Sequence, residues 1–353
     1  MSHVEEGPPP RDPVRERLDG LLHLRVDTHK PTEEAVRENL SAWLKAGGTA
    51  GADIRLRRNF VARVPPATDK ELADAGEITD NRKSDLVRVP PLAVLTALPR
   101  GIALRCALTL IFLAQTHRRA ALGREGLLKI PVDTDDAPPG LLHLIAIPAK
   151  YEGGSAARWG GGVKSNRQRQ IREALKRLAG DDLKMIALPA GGRGVPRFNQ
   201  VHLRNEVGGH GVDPAPYKAP AATAPTLSIP AAFFVNGWIH TLTNREIAAW
   251  LMLRDLTTQA LPDNANAAVE GVRASTRARL TVYDLRKRTL DTSRELESFG
   301  LVEVIRDEEN RRPNGTTRGG VRAEPNRYRL TDAGLEEPAL PIVVKHLEAE
   351  LAP

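Results

Sequence analysis

Apolar residues recur at three- and four-residue intervals, then at alternate positions, in an order that predicts helices followed by short strand pairs. The clearest run begins at Thr243-Asn244-Arg245-Glu246. A threonine three residues before a glutamate predicts a capping box, and Ile247, Trp250, Leu251 and Leu253 continue it as a helix to about Thr258. A loop with Pro262 follows, then a short helix over Ser275 to Val282 and a turn at Tyr283-Asp284-Leu285. From Arg286 to Phe299 a third helix is predicted, with Leu290, Ser293 and Leu296 on one side and Lys287, Arg288, Asp291 and Arg294 on the other. Gly300 supplies a left-handed exit into a strand, Leu301-Val302-Glu303-Val304-Ile305, whose partner is Asn326-Arg327-Tyr328-Arg329-Leu330. Between the strands, Asp307 to Pro325 is polar and carries Arg311, Arg312, Arg318 and Arg322.

The same order recurs upstream. Leu92 to Arg119 holds a long apolar run, interrupted by Arg100 and Arg105, which is too short to span a bilayer and predicts a buried first helix. A glycine-rich insertion follows, and a second helix has no clear place between Gly123 and Lys164. Ser165-Asn166-Arg167-Gln168 predicts another capping box, opening a helix with Ile171, Ala174, Leu175 and Leu178 on its apolar face and Arg169, Arg172, Glu173 and Lys176 opposite. Leu183 to Leu188 and Phe198 to Leu203 read as strands joined by Pro189 to Pro196, a hairpin bearing Arg193 and Arg197. Each unit is approached by a similar segment, Leu86-Val87-Arg88-Val89-Pro90 and Leu227-Ser228-Ile229-Pro230. Ahead of both lies an amphipathic helix from about Thr32 to Lys45, suited either to packing or to dimerisation.

The expected organisation is therefore a partly disordered helical extension (1–84), a first unit (85–207), a flexible Gly/Pro-rich linker (208–226), a second unit (227–336) and a C-terminal helix or tail (337–353). With 353 residues the chain is long enough for two domains. The fold class is α+β, mainly helical.

Charge sharpens the picture once it is located. The net charge is +7. Arg158 to Arg204 alone holds 11 Lys or Arg against 3 acids, an excess of +8, and Arg273 to Arg329 holds 14 against 9, an excess of +5. Both fall on the basic helices and hairpins, which points to a polyanionic partner. Enzyme chemistry finds little foothold. Cys106 is the single cysteine and the histidines are scattered, so no metal or other cofactor is expected. Gly160-Gly161-Gly162-Val163-Lys164-Ser165 fails the phosphate-loop pattern, with Ala157 where a glycine is required and Val163 intervening before the lysine. A tyrosine nucleophile of the two-histidine rolling-circle type would need a His-apolar-His pair to hold its metal, and no such triplet occurs. The acidic, proline-rich start matches no signal peptide, so a cytoplasmic location is expected, with no membrane partner.

Helix order, the Gly-Leu-Val exit and the strand pair together resemble winged helix-turn-helix DNA-binding domains, here in tandem with a small helical N-terminal extension. The tandem resembles replication initiators of theta-type plasmids, over roughly residues 86 to 336, and the Arg/Ala-rich, Lys-poor composition resembles that of high-GC actinobacterial chains. The resemblance implies sequence-specific binding of double-stranded DNA at repeated origin sites; a second copy of the chain is a further partner that the helix from Thr32 to Lys45 would allow. A transcriptional regulator and an interaction module without DNA are the alternatives. The third helices would read bases through Asn166, Arg167, Arg169, Arg172 and Lys176 in the first unit, and Lys287, Arg288, Asp291 and Arg294 in the second. The wings would hold phosphates through Arg193, Arg197, Arg311, Arg312, Arg318 and Arg322.

Overall fold

The computed structural model describes residues 12–25, 31–47, 53–66, 68–75, 88–97, 101–116, 127–132, 139–147, 162–208, 214–307 and 324–352. Over these described residues the chain is α+β, about half helical, with small sheets and no closed barrel. Helices α1 (Pro13–Leu22) and α2 (Glu33–Ala46) come first, then strand β1 (Ile54–Arg57), the single turn α3 (Arg58–Val61), α4 (Asp69–Ala75), α5 (Pro91–Thr96) and α6 (Ala103–Thr116). Next are β2 (Leu127–Leu128), a 3-10 turn at Leu141–His143, α7 (Val163–Leu178), β3 (Ile186–Ala187) and β4 (Val201–Leu203). The second half runs β5 (Thr226–Ile229), α8 (Ala232–Val235), α9 (Trp238–Thr241), α10 (Asn244–Ala260), α11 (Ala267–Glu270), β6 (Val272–Arg273), α12 (Thr276–Thr281), α13 (Lys287–Asp291), α14 (Ser293–Ser298), β7 (Val302–Ile305) and β8 (Arg327–Leu330). It closes with α15 (Ala339–Glu350).

One order of elements occurs twice. A long helix (α6, α10) leads to a short strand (β2, β6), a short helix or turn (Leu141–His143, α12), a basic helical segment (α7, α13–α14) and an antiparallel pair (β3–β4, β7–β8). In both sheets the last strand lies in the middle, β2-β4-β3 and β6-β8-β7. The alternation read from the sequence fixes which face packs. Val302 and Val304 turn inward on β7 beside Tyr328 of β8, while Glu303 faces out opposite Arg329.

The second unit keeps the start read from its sequence. Thr243 accepts from the Glu246 amide at 3.3 Å and the Glu246 carboxylate accepts from the Thr243 amide at 2.7 Å, closing the capping box of α10. Other expectations are corrected. The predicted third helix breaks at Thr292, whose hydroxyl donates back to the Thr289 carbonyl at 2.7 Å, so α13 and α14 are separate pieces. The apolar run near residue 92 is two helices, α5 and α6. Helix α7 opens at Val163 after Gly162, with no side-chain cap, so Ser165 lies inside the helix and the expected capping box there is absent. Between Gly123 and Lys164, where the sequence shows no clear second helix, the described residues hold a 3-10 turn that buries Leu141 and Leu142.

The expected flexible linker is docked over its second half. The Asn205 amide donates to the Ala215 carbonyl at 2.8 Å and the Tyr217 amide to Leu203 at 2.9 Å. Tyr217 is buried, and its hydroxyl accepts from Gln115 Nε2 at 2.7 Å. Most of the segment expected to form the second wing tip, residues 308–323, lies outside the described residues.

The N-terminal segment is not an appendage. Strand β1 pairs antiparallel with β5, Ile54 opposite Ile229 and Arg57 opposite Thr226, although the whole first unit separates them in sequence. Helix α1 packs on α15 and sends Arg17 to the buried Glu246 carboxylate at 2.7 and 2.8 Å. The two units share one hydrophobic core: Phe112 of α6 stacks on Phe234 of α8 at 4.6 Å, and Phe233 on Trp250 of α10 at 4.7 Å. Cys106 sits inside it, with burial pushing its thiol up to about 12.

Three buried titratable groups, Asp255, His240 and Glu33, have testable effects on stability. Asp255 of α10 is fully buried and accepts from Arg58 Nε at 3.0 and 3.1 Å and from the Tyr283 hydroxyl at 2.7 Å. Burial raises its pKa from the ordinary value and Arg58 opposes that rise. Removing Arg58 leaves a carboxylate with too few donors in an apolar interior. We expect Arg58→Ala to cost about 3–5 kcal/mol and Tyr283→Phe about 1.5–3 kcal/mol in urea unfolding, in that order. Losses below about 1 kcal/mol for both would show that Asp255 does not depend on these donors.

His240 is fully buried, and neither ring nitrogen has a hydrogen-bond partner. Burial, then the Arg105 charge, lowers its pKa from 6.5 to about 3. The unfolded chain therefore takes up this proton first, so the His240 contribution is intact above pH 6.5 and is lost as pH falls towards 3, by up to about 1.4 kcal/mol per pH unit. Glu33 opposes it. Burial raises its carboxyl from 4.5 to about 7, which favours the folded state as pH falls through that window. The two are separated by difference. The stability of wild type minus His240→Phe should decline from pH 6.5 to pH 4, and a flat difference would show that His240 is protonated in the fold.

Candidate nucleic-acid interface

Helix α7 presents its basic face because its apolar face has a partner. Ile171, Ala174, Leu175 and Leu178 are buried, and α6 and the 3-10 turn pack against the helix. Lys164, Arg169, Arg172 and Lys176 are exposed. Arg169 donates to Asn166 Oδ1 at 3.0 Å, Lys176 pairs with Glu173 at 2.9 Å, and the Arg172 guanidinium lies 5.8 Å from the centre of the Phe198 ring. That last contact joins the helix to the entry of β4, so Arg172 is held by an aromatic face that the sequence reading did not include.

Arg167 departs from the expected set. It is 2% exposed, with Nε donating to the Ile147 carbonyl at 3.1 Å and Nη1 to the Pro31 carbonyl at 3.3 Å. Burial lowers its pKa to about 10. It cannot reach a base edge from there and is withdrawn from the base-reading residues. The signal was present in the spacing, because positions 167, 171, 174 and 178 follow one helical stripe.

The first hairpin has a short, ordered tip. Ala190 bridges to Pro196, the Gly191 amide donates to Val195 at 2.7 Å, and Arg193 and Gly194 both adopt left-handed conformations, with φ of 57° and 75°. Arg193 and Arg197 are exposed, as is Val195 between them, at 60%. On the outer face of the same sheet, His202, Arg204, Ala187 and Pro216 line an open groove.

In the second unit Lys287, Arg288, Asp291 and Arg294 are all exposed, while Thr289, Ser293 and Leu296 are buried. Helices α13 and α14 pack on α10, and α14 also packs on β7. Gly300, at φ 75°, turns the chain out of α14, with the Leu301 amide donating to the Leu296 carbonyl at 2.9 Å. The sheet behaves differently from the helices. Arg329 pairs with Glu303, Arg273 with Glu324, and Arg306 with Glu297 at 2.5 Å, so much of its basic charge is matched by carboxylates. The exposed basic side chains of the described second unit include Lys287, Arg288 and Arg294 of α13–α14, and also Arg245 of α10 and Arg277 of α12. Arg311, Arg312, Arg318 and Arg322 lie outside the described residues.

Among the described residues no group of three or more His, Cys, Asp or Glu is placed to hold a metal ion, and no helix is long and apolar enough to cross a membrane. No family model, curated protein or solved structure matches this chain.

Proposed function

We propose that this chain binds double-stranded DNA sequence-specifically through two tandem winged helix-turn-helix units, as a replication initiator of the theta-type plasmid kind acting at repeated origin sites. The observation that carries the reading is the repeated order of elements, with a central last strand in each sheet and a helical segment with exposed basic side chains in each unit. In such a unit the basic helix enters the major groove and its side chains meet base edges, while the hairpin lies along the backbone or in the minor groove. Arg169, Arg172 and Lys176, with Asn166, would serve the first unit, and Lys287, Arg288, Asp291 and Arg294 the second. Arg193 and Arg197, together with Arg311, Arg312, Arg318 and Arg322, would hold phosphates. The local charge excess of +8 around α7 supports the same partner.

Sequencing of fragmented genomic and plasmid DNA retained by the protein tests this reading. Recovery of iterated repeats supports initiation, recovery of a promoter moves the protein to transcriptional control, and no enrichment removes DNA as the partner.

Base reading and phosphate holding separate by mutation. Arg288→Ala with Arg294→Ala should weaken binding to the recovered site at least tenfold and reduce discrimination against a scrambled duplex. Gln at Arg311, Arg312, Arg318 and Arg322 should weaken both duplexes about equally and flatten the salt dependence. Fluorescence anisotropy at several salt concentrations reads both. Loss of discrimination in the wing variant alone would reverse the two assignments.

A further inference from the structure

The basic helical segments of the two units are both tied to one N-terminal segment. In the first unit, Arg167 of α7 donates to the Pro31 carbonyl, and Asn39 Nδ2 of α2 donates at 3.0 Å to the carbonyl of His143, in the turn before α7. In the second, Arg63 is 2% exposed beneath the turn that leads into α13. Its Nη1 donates to Thr281 at 2.7 Å, its Nη2 pairs with Asp284 at 3.2 Å, and its amide donates to Val282 at 2.8 Å. Asp284 holds a left-handed conformation, φ 53°, which aspartate tolerates better than most residues, at the turn where it meets Arg63.

Between these ends the segment is fastened repeatedly. Arg37 donates to Val235 of α8 at 3.3 Å, β1 pairs with β5, Arg57 meets the buried Glu206 at 2.5 Å, and Arg58 meets Asp255. A free linker of about 20 residues would allow the units a root-mean-square span of about 25 Å. The hydrogen-bonded ladder and buried ion pairs remove that freedom.

We propose that residues 31–47 and 53–64 act as a ruler that fixes the separation and angle of the two basic helices, with Arg63 and Arg167 as its positioning residues. The DNA selected is then one composite site whose two halves tolerate no change of spacing. One inserted base pair shifts the halves by about 3.4 Å and turns them by about 35°, and five place them on opposite faces of the duplex. This inference rests on the DNA-binding reading, and the experiment separates the two.

The full chain selects a duplex from a random-sequence pool, and base pairs are then inserted one to five at a time between the half-sites. Wild type should lose at least tenfold in affinity for every insertion. Arg63→Met and Arg167→Met keep the side-chain stems and remove the guanidinium donors. These variants should bind the original duplex more weakly but lose threefold or less on insertion, with Arg63→Lys between them and wild type. Spin labels at Glu173→Cys and Ser298→Cys, with Cys106 buried and unreactive, should give one narrow distance in the free protein that broadens in the Met variants. Wild type that accepts insertions, or a broad wild-type distance, overturns the ruler while leaving DNA binding standing. Folded Met variants as strict as wild type overturn the roles of Arg63 and Arg167. A pool that yields no duplex overturns the DNA-binding reading, and the ruler with it.

Discussion

The carboxylate of Asp255 is the constraint around which the second unit is assembled. A charge inside α10, away from water, is tolerable only if donors come to it, and they come from two distant places, Arg58 after β1 and Tyr283 after α12. The N-terminal segment and the turn ahead of α13 are thereby drawn to one helix. The β1–β5 ladder, the Arg57–Glu206 pair and the seat of Arg63 all lie along the path this meeting point sets. An apolar core alone would join the same elements, but it would fix their relative orientation less sharply than directional hydrogen bonds do.

The distribution of arginine separates architecture from surface. Arg58, Arg63 and Arg167 are spent inside the fold, on carbonyls and carboxylates of other segments. Arg273, Arg306 and Arg329 meet glutamates on or beside the second sheet. Arg169, Arg172, Arg288 and Arg294 stay at the surface of helices whose other faces are buried. A planar fork with several donors suits all three settings, so composition alone could not tell them apart.

Local features were legible in the sequence and long-range ones were not. The Thr243 capping box, the Gly300 exit and the alternation of β7 and β8 depend on neighbours a few residues away, and all three are present. Arg167 was misassigned by residue type although its stripe placed it on the packed face. The break at Thr292 comes from a hydroxyl competing for a backbone carbonyl, which an apolar wheel does not register. The docking of Tyr217 and the seat of Arg63 depend on partners more than a hundred residues away. Pro/Gly content suggested freedom for residues 208–226, whereas Ala215 and Tyr217 are hydrogen-bonded at and just after β4.

The position of β1 also bears on how the chain is made. It leaves the ribosome long before β5, with the whole first unit to be synthesised in between. Until then Ile54 and Leu56 have no ladder to join, and their strand has an open hydrogen-bonding edge. Closing so large a loop is slow, because its entropy is lost before the pairing returns any energy. The late arrival of Thr226–Ile229 thus leaves the nascent chain with an adhesive edge throughout the synthesis of the first unit, until the second unit begins to emerge.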